Sequence, residues 1–406
     1  MQKVWRRVTA GPREDNVRGK TAQLTRFPLT IISALLLILS SLAACGDGRP
    51  IPVGFSGQLT GKMSDIGVYG RNGAMLAVEH INAAGGINGR PLKLIVRDDG
   101  NTPEAAIAAD RELMDLGVVA IIGHMTSSQT LAALPQAAQE GVLLISPTTS
   151  TPQLSGIKDN FVRVLMDNQY HGRELAAYAR NVLDLRRVVS IVETDNASYS
   201  KTFEKYFSNA FEEYGGILLR SIPYSAAAAI DWKPVMAELS GLNPDGILLT
   251  CPAQDFVTLA QNIRSAGLTA RLLSGAWAYT ENLLHWGGNE LKGSIFVIDF
   301  AADNPSPEYV AFSNAYKRRF GNTPNFASAF AYESVLALAA GLRKTGGSAQ
   351  GLLEAMAPSE PIKGVVGTFS IDQFGDVNRD IFIVTVRDGQ FSTIGLRQGQ
   401  PQERLP

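Results

Sequence analysis

Two short runs of small polar residues have the composition of an anion receptor: Gly123-His124-Met125-Thr126-Ser127-Ser128 and Ser146-Pro147-Thr148-Thr149-Ser150-Thr151. Each directly follows an apolar run, Val118 to Ile122 in the first case and Val142 to Ile145 in the second. If those runs are parallel strands, their hydroxyls and free backbone amides gather at strand carboxyl ends and helix N-termini, where a carboxylate or other anionic group is favoured. A single Ser or Thr in such a position more often caps a helix or fills a loop. Two clusters after neighbouring strands shift that balance toward a ligand.

Catalytic chemistry finds less support. The four histidines, His80, His124, His171 and His285, lie far apart without metal-ligand spacing. There is no Gly-x-Ser-x-Gly elbow, P-loop or dinucleotide-type glycine fingerprint. No catalytic residue, metal site or cofactor is expected. His124 reads as a hydrogen-bonded histidine beside the first cluster, and Asp98-Asp99 as loop caps rather than a catalytic pair or cation site.

From Ile51 onward, short apolar runs alternate with segments of helical period, which predicts parallel sheets covered by helices, an α/β fold. Strands are predicted at Ile51 to Phe55, Leu92 to Val96, Val118 to Ile122 and Val142 to Ile145. Between them lie helices over Gly73 to Asn82, from Thr102-Pro103 through Leu116, and over Gln129 to Glu140. A second series starts near Tyr170, with strands at Val188 to Val192, Ile217 to Ile222, Ile247 to Leu249, Leu272-Leu273 and Ile295 to Val297. Its helices are Lys201 to Tyr214, whose Phe203, Phe207, Ala210, Phe211 and Tyr214 share one stripe, and Phe256 to Ala266. Helices near Glu308 to Phe320 and Ala327 to Leu342 follow. A strand-rich tail, Gly364 to Arg387, carries a turn at Asp376-Val377-Asn378.

The 406 residues suffice for two or three domains. A net charge of −1, with no dense basic block beyond the N-terminus, excludes the electrostatic footprint of a nucleic-acid binder. The N-terminus has a positive flank (Arg6, Arg7, Arg13, Arg18, Lys20, Arg26), an apolar run from Leu29 to Leu42 and then small residues, the order of a secretory signal peptide. The unusual length of the flank points to a later start codon. Leu42-Ala43-Ala44-Cys45 resembles a bacterial lipobox, so Cys45 is expected to carry acyl chains that hold the protein at a bilayer. Only Cys251 then remains, and no intramolecular disulfide is possible.

From Ile51 to about Gln390 the chain resembles the branched-chain amino-acid (Leu/Ile/Val) binding protein family, the type I periplasmic solute-binding proteins of ABC transporters. The resemblance is carried by Gly70-Arg71-Asn72-Gly73-Ala74, Ile81-Asn82-Ala83-Ala84-Gly85-Gly86-Ile87-Asn88-Gly89, Asp98-Asp99, Ile122-Gly123-His124 with Ser127-Ser128, and Ile145-Ser146-Pro147. It implies two doubly wound parallel-sheet lobes joined by a three-strand hinge, closing around a small molecule. The expected division is a leader over 1–44, an anchor over 45–50, lobe 1 over 51–169 plus 302–378, and lobe 2 over 170–301 plus 379–406. It further implies service to an ABC permease, and with the leader and Cys45 the protein is expected to be exported and membrane-anchored; a monomer is expected because nothing in the sequence demands more. By position, Ser127 matches the serine that holds the ligand carboxylate, and Thr148 and Ser150 match residues contacting the carboxylate and amino groups. Tyr199 matches the tyrosine that closes over the ligand, and Tyr332 a tyrosine near the cleft.

One departure matters. Where the family often has an acidic residue paired with the ligand ammonium, this chain has Trp277, in Ser274-Gly275-Ala276-Trp277. A missing carboxylate removes a charge-assisted hydrogen bond that a buried ammonium needs. Trp277 and Tyr279 either stack on a ligand or pack between the lobes, while Glu281 and Asp255 are the carboxylates able to act from a shifted position. The segment Thr250-Cys251-Pro252-Ala253 lacks the aromatic residues common there in amino-acid binders, which also points to a differently shaped ligand. The ligand class is therefore left as an amino acid or a related carboxylate or amide. A lipoprotein that signals occupancy to a receptor is the alternative to transport, and an α/β enzyme is a third reading.

Overall fold

The computed structural model describes residues 48–61, 64–100 and 102–399. The leader and Cys45 lie outside the described residues. Strands β1 (Ile51–Gly57), β2 (Leu92–Asp98), β3 (Ala120–Ile122), β4 (Leu143–Ser146) and β5 (Phe161–Arg163) form an all-parallel sheet in the order β2-β1-β3-β4-β5. The order reverses between β1 and β3, and doubly wound sheets bind ligands at the strand carboxyl ends beside such a reversal. Three connecting helices are α1 (Asp65–Ala83), α2 (Pro103–Asp115) and α3 (Ser127–Gln139). The Thr102 hydroxyl accepts from Ala105 N, the N-cap predicted from Thr102-Pro103.

A second sheet has the order β14-β13-β10-β9-β8-β6-β7. Its parallel part is β6 (Arg187–Glu193), β7 (Ile217–Tyr224), β8 (Gly246–Thr250), β9 (Arg271–Ser274) and β10 (Ile295–Ile298). An antiparallel hairpin, β13 (Ile381–Arg387) and β14 (Gln390–Arg397), closes one edge. This sheet is covered by α4 (Asn168–Asn181), α5 (Ala197–Glu213), α6 (Lys233–Leu242), α7 (Ala253–Ser265) and the short α8 (Glu281–Gly287). Helices α9 (Pro307–Phe320), α10 (Phe326–Lys344) and α11 (Leu352–Met356) and the strand pair β11 (Ile362–Lys363) and β12 (Thr368–Phe369) follow. The predicted turn at 376–378 sits slightly earlier: Asp372 and Asp376 bond through their backbones, Gly375 takes φ 86°, and Ile371 and Val377 pair as a bridge.

The chain passes between the two sheets three times, at 164–167, 299–306 and 370–380. Buried polar contacts, one of them an ionic cluster, tie these crossings together. Asp299 Oδ2 accepts from Met166 N at 2.7 Å, and the Arg163 guanidinium lies between Asp167 (3.4 Å) and Asp376 (2.7 Å). Helices α1 and α10 pack so closely that a Cβ on Gly73 would stand 2.0 Å from the Ser328 carbonyl oxygen. Only glycine permits that approach, and it fixes the N-terminal ends of both helices beside the site.

Candidate ligand-binding site

A cavity lies between the two sheets, lined by Ile66, Met125, Thr126, Ser127, Thr148, Asn196, Tyr199, Ala276, Trp277 and Phe326. Ser127 and Thr148 follow β3 and β4, Ile66 lies in the first turn of α1, and Asn196 and Trp277 follow β6 and β9, so parallel-strand carboxyl ends from both sheets face one point. The space open to the centres of water-sized molecules is about 20 Å³, close to what a single water needs. The walls are closed down, and a solute larger than water must part them to enter.

Two hydrogen bonds join the walls. Asn196 Oδ1 accepts from Ser128 N at 3.1 Å, and Ser128 Oγ accepts from Ser198 N at 3.3 Å. The heads of α3 and α5 thus cap each other: each first turn sends an amide to a side chain of the opposite sheet's helix, using donors that would otherwise lack intrahelical partners. Glu193, at the end of β6, shapes this latch by accepting from Asp195 N (2.7 Å) and Asn196 N (3.0 Å). Burial pushes the Glu193 carboxyl up to about 7. Asn196→Ala is expected to weaken solute binding about fivefold, or about 1 kcal/mol, with unfolding of the unliganded protein nearly unchanged. Calorimetric titration and a denaturant melt of the same variant check both parts.

Within the cavity most polar atoms are already engaged. Thr126 Oγ1 donates to Gln129 Oε1 at 2.6 Å, Thr148 Oγ1 donates to Met125 O at 2.7 Å, and the Tyr199 hydroxyl accepts from Trp277 N at 3.4 Å. Burial drives the Tyr199 pKa well up, so its hydroxyl is neutral. The rings of Tyr199 and Trp277 meet edge to face at 5.5 Å. Two atoms remain buried without a partner: Ser127 Oγ and Trp277 Nε1. Their residues are only 2% and 5% exposed, and such atoms are costly unless something hydrogen-bonds to them.

Of the six residues expected at the site, Ser127, Thr148, Tyr199 and Trp277 meet in this cavity. Ser150 and Tyr332 do not line it. The Ser150 hydroxyl turns toward α4, donating to Asn168 Oδ1 at 3.0 Å. Tyr332 lies on the far side of α10, its hydroxyl 2.9 Å from His80 Nδ1 and its ring against Phe312. Periodicity on α10 accounts for Tyr332 as a packing residue. Tyr279 packs on Phe391 with ring centroids 3.9 Å apart, and Asp255 accepts from the Tyr224 hydroxyl, so neither lines the cavity. Asn196, Ile66, Met125 and Phe326 are additions; Asn196 is signalled only by its place one residue after Asp195.

The neighbouring acidic residues serve structure. Asp98 accepts from Leu59 N and Gly100 N, as a loop cap does. Asp99 does not cap: its carboxylate pairs with His124 Nδ1 at 2.7 Å, while Asp110 takes Nε2 at 3.0 Å. No group of His, Cys, Asp and Glu suited to a metal ion occurs among the described residues.

Comparison with known proteins agrees with this geometry. A family model described as periplasmic binding protein matches residues 50–390. An amino acid binding protein of Pseudomonas aeruginosa is 26% identical over 342 residues, covering 82% of this chain and 89% of that protein. A branched-chain amino acid transporter substrate binding protein of Streptococcus pneumoniae, solved with isoleucine, superposes with TM-score 0.79 at 22% identity, covering 87% of this chain and all of that one. A solute binding protein of an ABC transporter from R. palustris, solved with benzoate, gives TM-score 0.80 at 18% identity, covering 87% and 98%. These relatives are binding proteins, not enzymes. The chain belongs to the periplasmic binding protein family, alongside relatives named as Leu/Ile/Val-binding proteins.

Proposed function

We propose that this protein is an extracytoplasmic solute-binding lipoprotein of an ABC importer, enclosing one small carboxylate-bearing molecule between its lobes and presenting it to a permease in the cytoplasmic membrane. The observation that carries the reading is Ser127 Oγ, buried and unpartnered at the head of α3 in a cavity walled by both sheets. A carboxylate there gains a hydroxyl donor and the favourable end of a helix dipole. Lobe 1 is taken as 51–169 plus 302–378 and lobe 2 as 170–301 plus 379–406, hinged at the three crossings. The leader over 1–44 and acylation of Cys45 place the protein at a membrane, facing the periplasm or cell exterior, as a monomer. The relatives' solutes, named as amino acids and benzoates, support a small organic acid as cargo.

Binding shifts an open–closed equilibrium by the solute's preference for the closed form. A solute at 100 times its dissociation constant should add about 2.7 kcal/mol to stability. Thermal unfolding of the purified protein against amino acids, aromatic acids and amides should therefore show a raised midpoint for one class. Ser127→Ala is expected to weaken that solute about tenfold, or about 1.4 kcal/mol. A flat response to every acid would sink the reading. Uptake lost on gene deletion separates import from sensing, and labelled palmitate that enters the protein but not Cys45→Ser tests the anchor.

A further inference from the structure

The polar groups left over in the cavity define what the solute must offer. Ser127 Oγ on one wall and Trp277 Nε1 on the other are both buried and unpartnered, and indole nitrogen can only donate. No charged residue lines the cavity. The carboxylates nearest in sequence are already engaged: Asp65 by Ile66 N, Glu193 by two amides, Asp195 by Ser225 Oγ and Ala227 N, and Asp255 by the Tyr224 hydroxyl. Glu281 sits at the seam under the influence of Lys317 and is absent from the lining. An ammonium group enclosed here would meet only neutral partners, and a buried charge without a counter-charge is strongly disfavoured. The rest of the wall, Ile66, Met125, Tyr199 and Phe326, is apolar or aromatic.

We infer that the solute is an ammonium-free organic acid, its carboxylate held by Ser127 at the head of α3, its apolar body against Tyr199 and Phe326, and a second acceptor oxygen received by Trp277 Nε1. This inference rests on the binding-protein reading above and adds Trp277 as the residue that sets specificity. An acid with an oxygen at its far end satisfies both orphaned donors; an amino acid satisfies one and strands its own charge.

The test uses the purified protein and matched probes measured by calorimetric titration: leucine against isocaproate, phenylalanine against hydrocinnamate, and hydrocinnamate against its para-hydroxy derivative, phloretate. Each ammonium-free acid is expected to bind at least about tenfold tighter than its amino acid, and phloretate about tenfold tighter than hydrocinnamate. Trp277→Phe keeps an aromatic ring and removes the donor, so, whatever it does to hydrocinnamate itself, it should bring the phloretate-to-hydrocinnamate affinity ratio from about tenfold to about one. Amino acids binding as tightly as their deaminated partners would overturn the inference and leave the binding-protein reading standing. Equal losses for both acids in Trp277→Phe would make Trp277 a packing residue and overturn its assignment. No binding of any probe at millimolar concentration would overturn the inference and the carboxylate site together. The wild-type pairs do not depend on the variant's folding, and the unliganded melting midpoint checks the variant itself.

Discussion

Replacing His124 with alanine is expected to lower the unfolding free energy by about 3–5 kcal/mol, the range for removing one partner of a buried ionic cluster. The imidazole is fully buried, between Asp99 and Asp110, which are buried as well. Burial alone would hold it neutral, but Asp110 and Asp99 outweigh that effect and push its pKa up to about 10. Without it, two carboxylates face each other in a dry site, and Asp99 is already pushed up by burial. Because the folded pKa lies above the unfolded value near 6.5, the wild-type cluster stabilises fully below about pH 6.5 and loses that contribution as pH rises toward 10. Urea unfolding of wild type and variant between about pH 5 and 10 checks both statements; the difference between them should shrink at the alkaline end. A constant difference across that range would mean that His124 acts through shape and not charge.

The fold was legible wherever apolar residues repeat at one period. The runs of β1, β4 and β8 bury their side chains as predicted, and so does the stripe of α5 except at Tyr214, which caps the helix and stays exposed. Elements whose buried face is small or polar escaped. Helix α4 packs through His171, Gly172, Ala176 and Ala179 with only Leu175 as a large apolar residue, and β5 is three residues long. Strand β14 had a readable signal in Asp388-Gly389, which adopt φ 51° and 73° at the hairpin turn. An Asp-Gly pair between apolar runs is among the strongest short-range hairpin signals.

The site was legible in its polar half and not in its apolar half. Ser127 and Thr148 stand directly after apolar runs, where a parallel sheet places ligands. Ile66 and Phe326 lie at the heads of α1 and α10, and both helices begin earlier than their periodicity indicates. Gly67 and Gly70 hide the first turns of α1, because glycine costs about 1 kcal/mol in a helix. Packing demands them: a Cβ on Gly67 would lie 1.7 Å from the Gln58 carbonyl oxygen. The latch between Ser128 and Asn196 was invisible for a different reason, since it joins residues 68 apart whose meeting depends on how the two sheets face each other.

That facing has a consequence at Asp65, where solute affinity is expected to fall as pH rises from about 4 to 7. Asp65 opens α1 on one side of the seam, close enough to Thr280 on the other for that residue to lower its pKa. Burial pushes its carboxyl up to about 6, against the lowering pull of the Ile66 amide and Thr280. Tyr69 and Glu281 face the same seam, and both are raised chiefly by burial; beyond them a groove of about 410 Å³ is walled by Val68, Pro252 and Trp286. Opening the lobes returns Asp65 to water and to a pKa near 3.8, so the closed form holds the extra proton between those two values. Closure is then favoured in full below about pH 4, and the advantage is lost as pH passes 6. A shift of about two units corresponds to roughly 3 kcal/mol, and the partly exposed edge of the side chain reduces this to about 2 kcal/mol. Asp65→Asn keeps the shape and removes the titration, so it should bind solute roughly thirtyfold tighter than wild type at about pH 7.5 and equally well at about pH 4. Other carboxyls, Glu193 and Asp159 among them, titrate in the same window, and the difference between variant and parent cancels them. An affinity ratio that stays flat with pH would show that Asp65 is equally solvated in the open and closed forms, and that closure takes up no proton there.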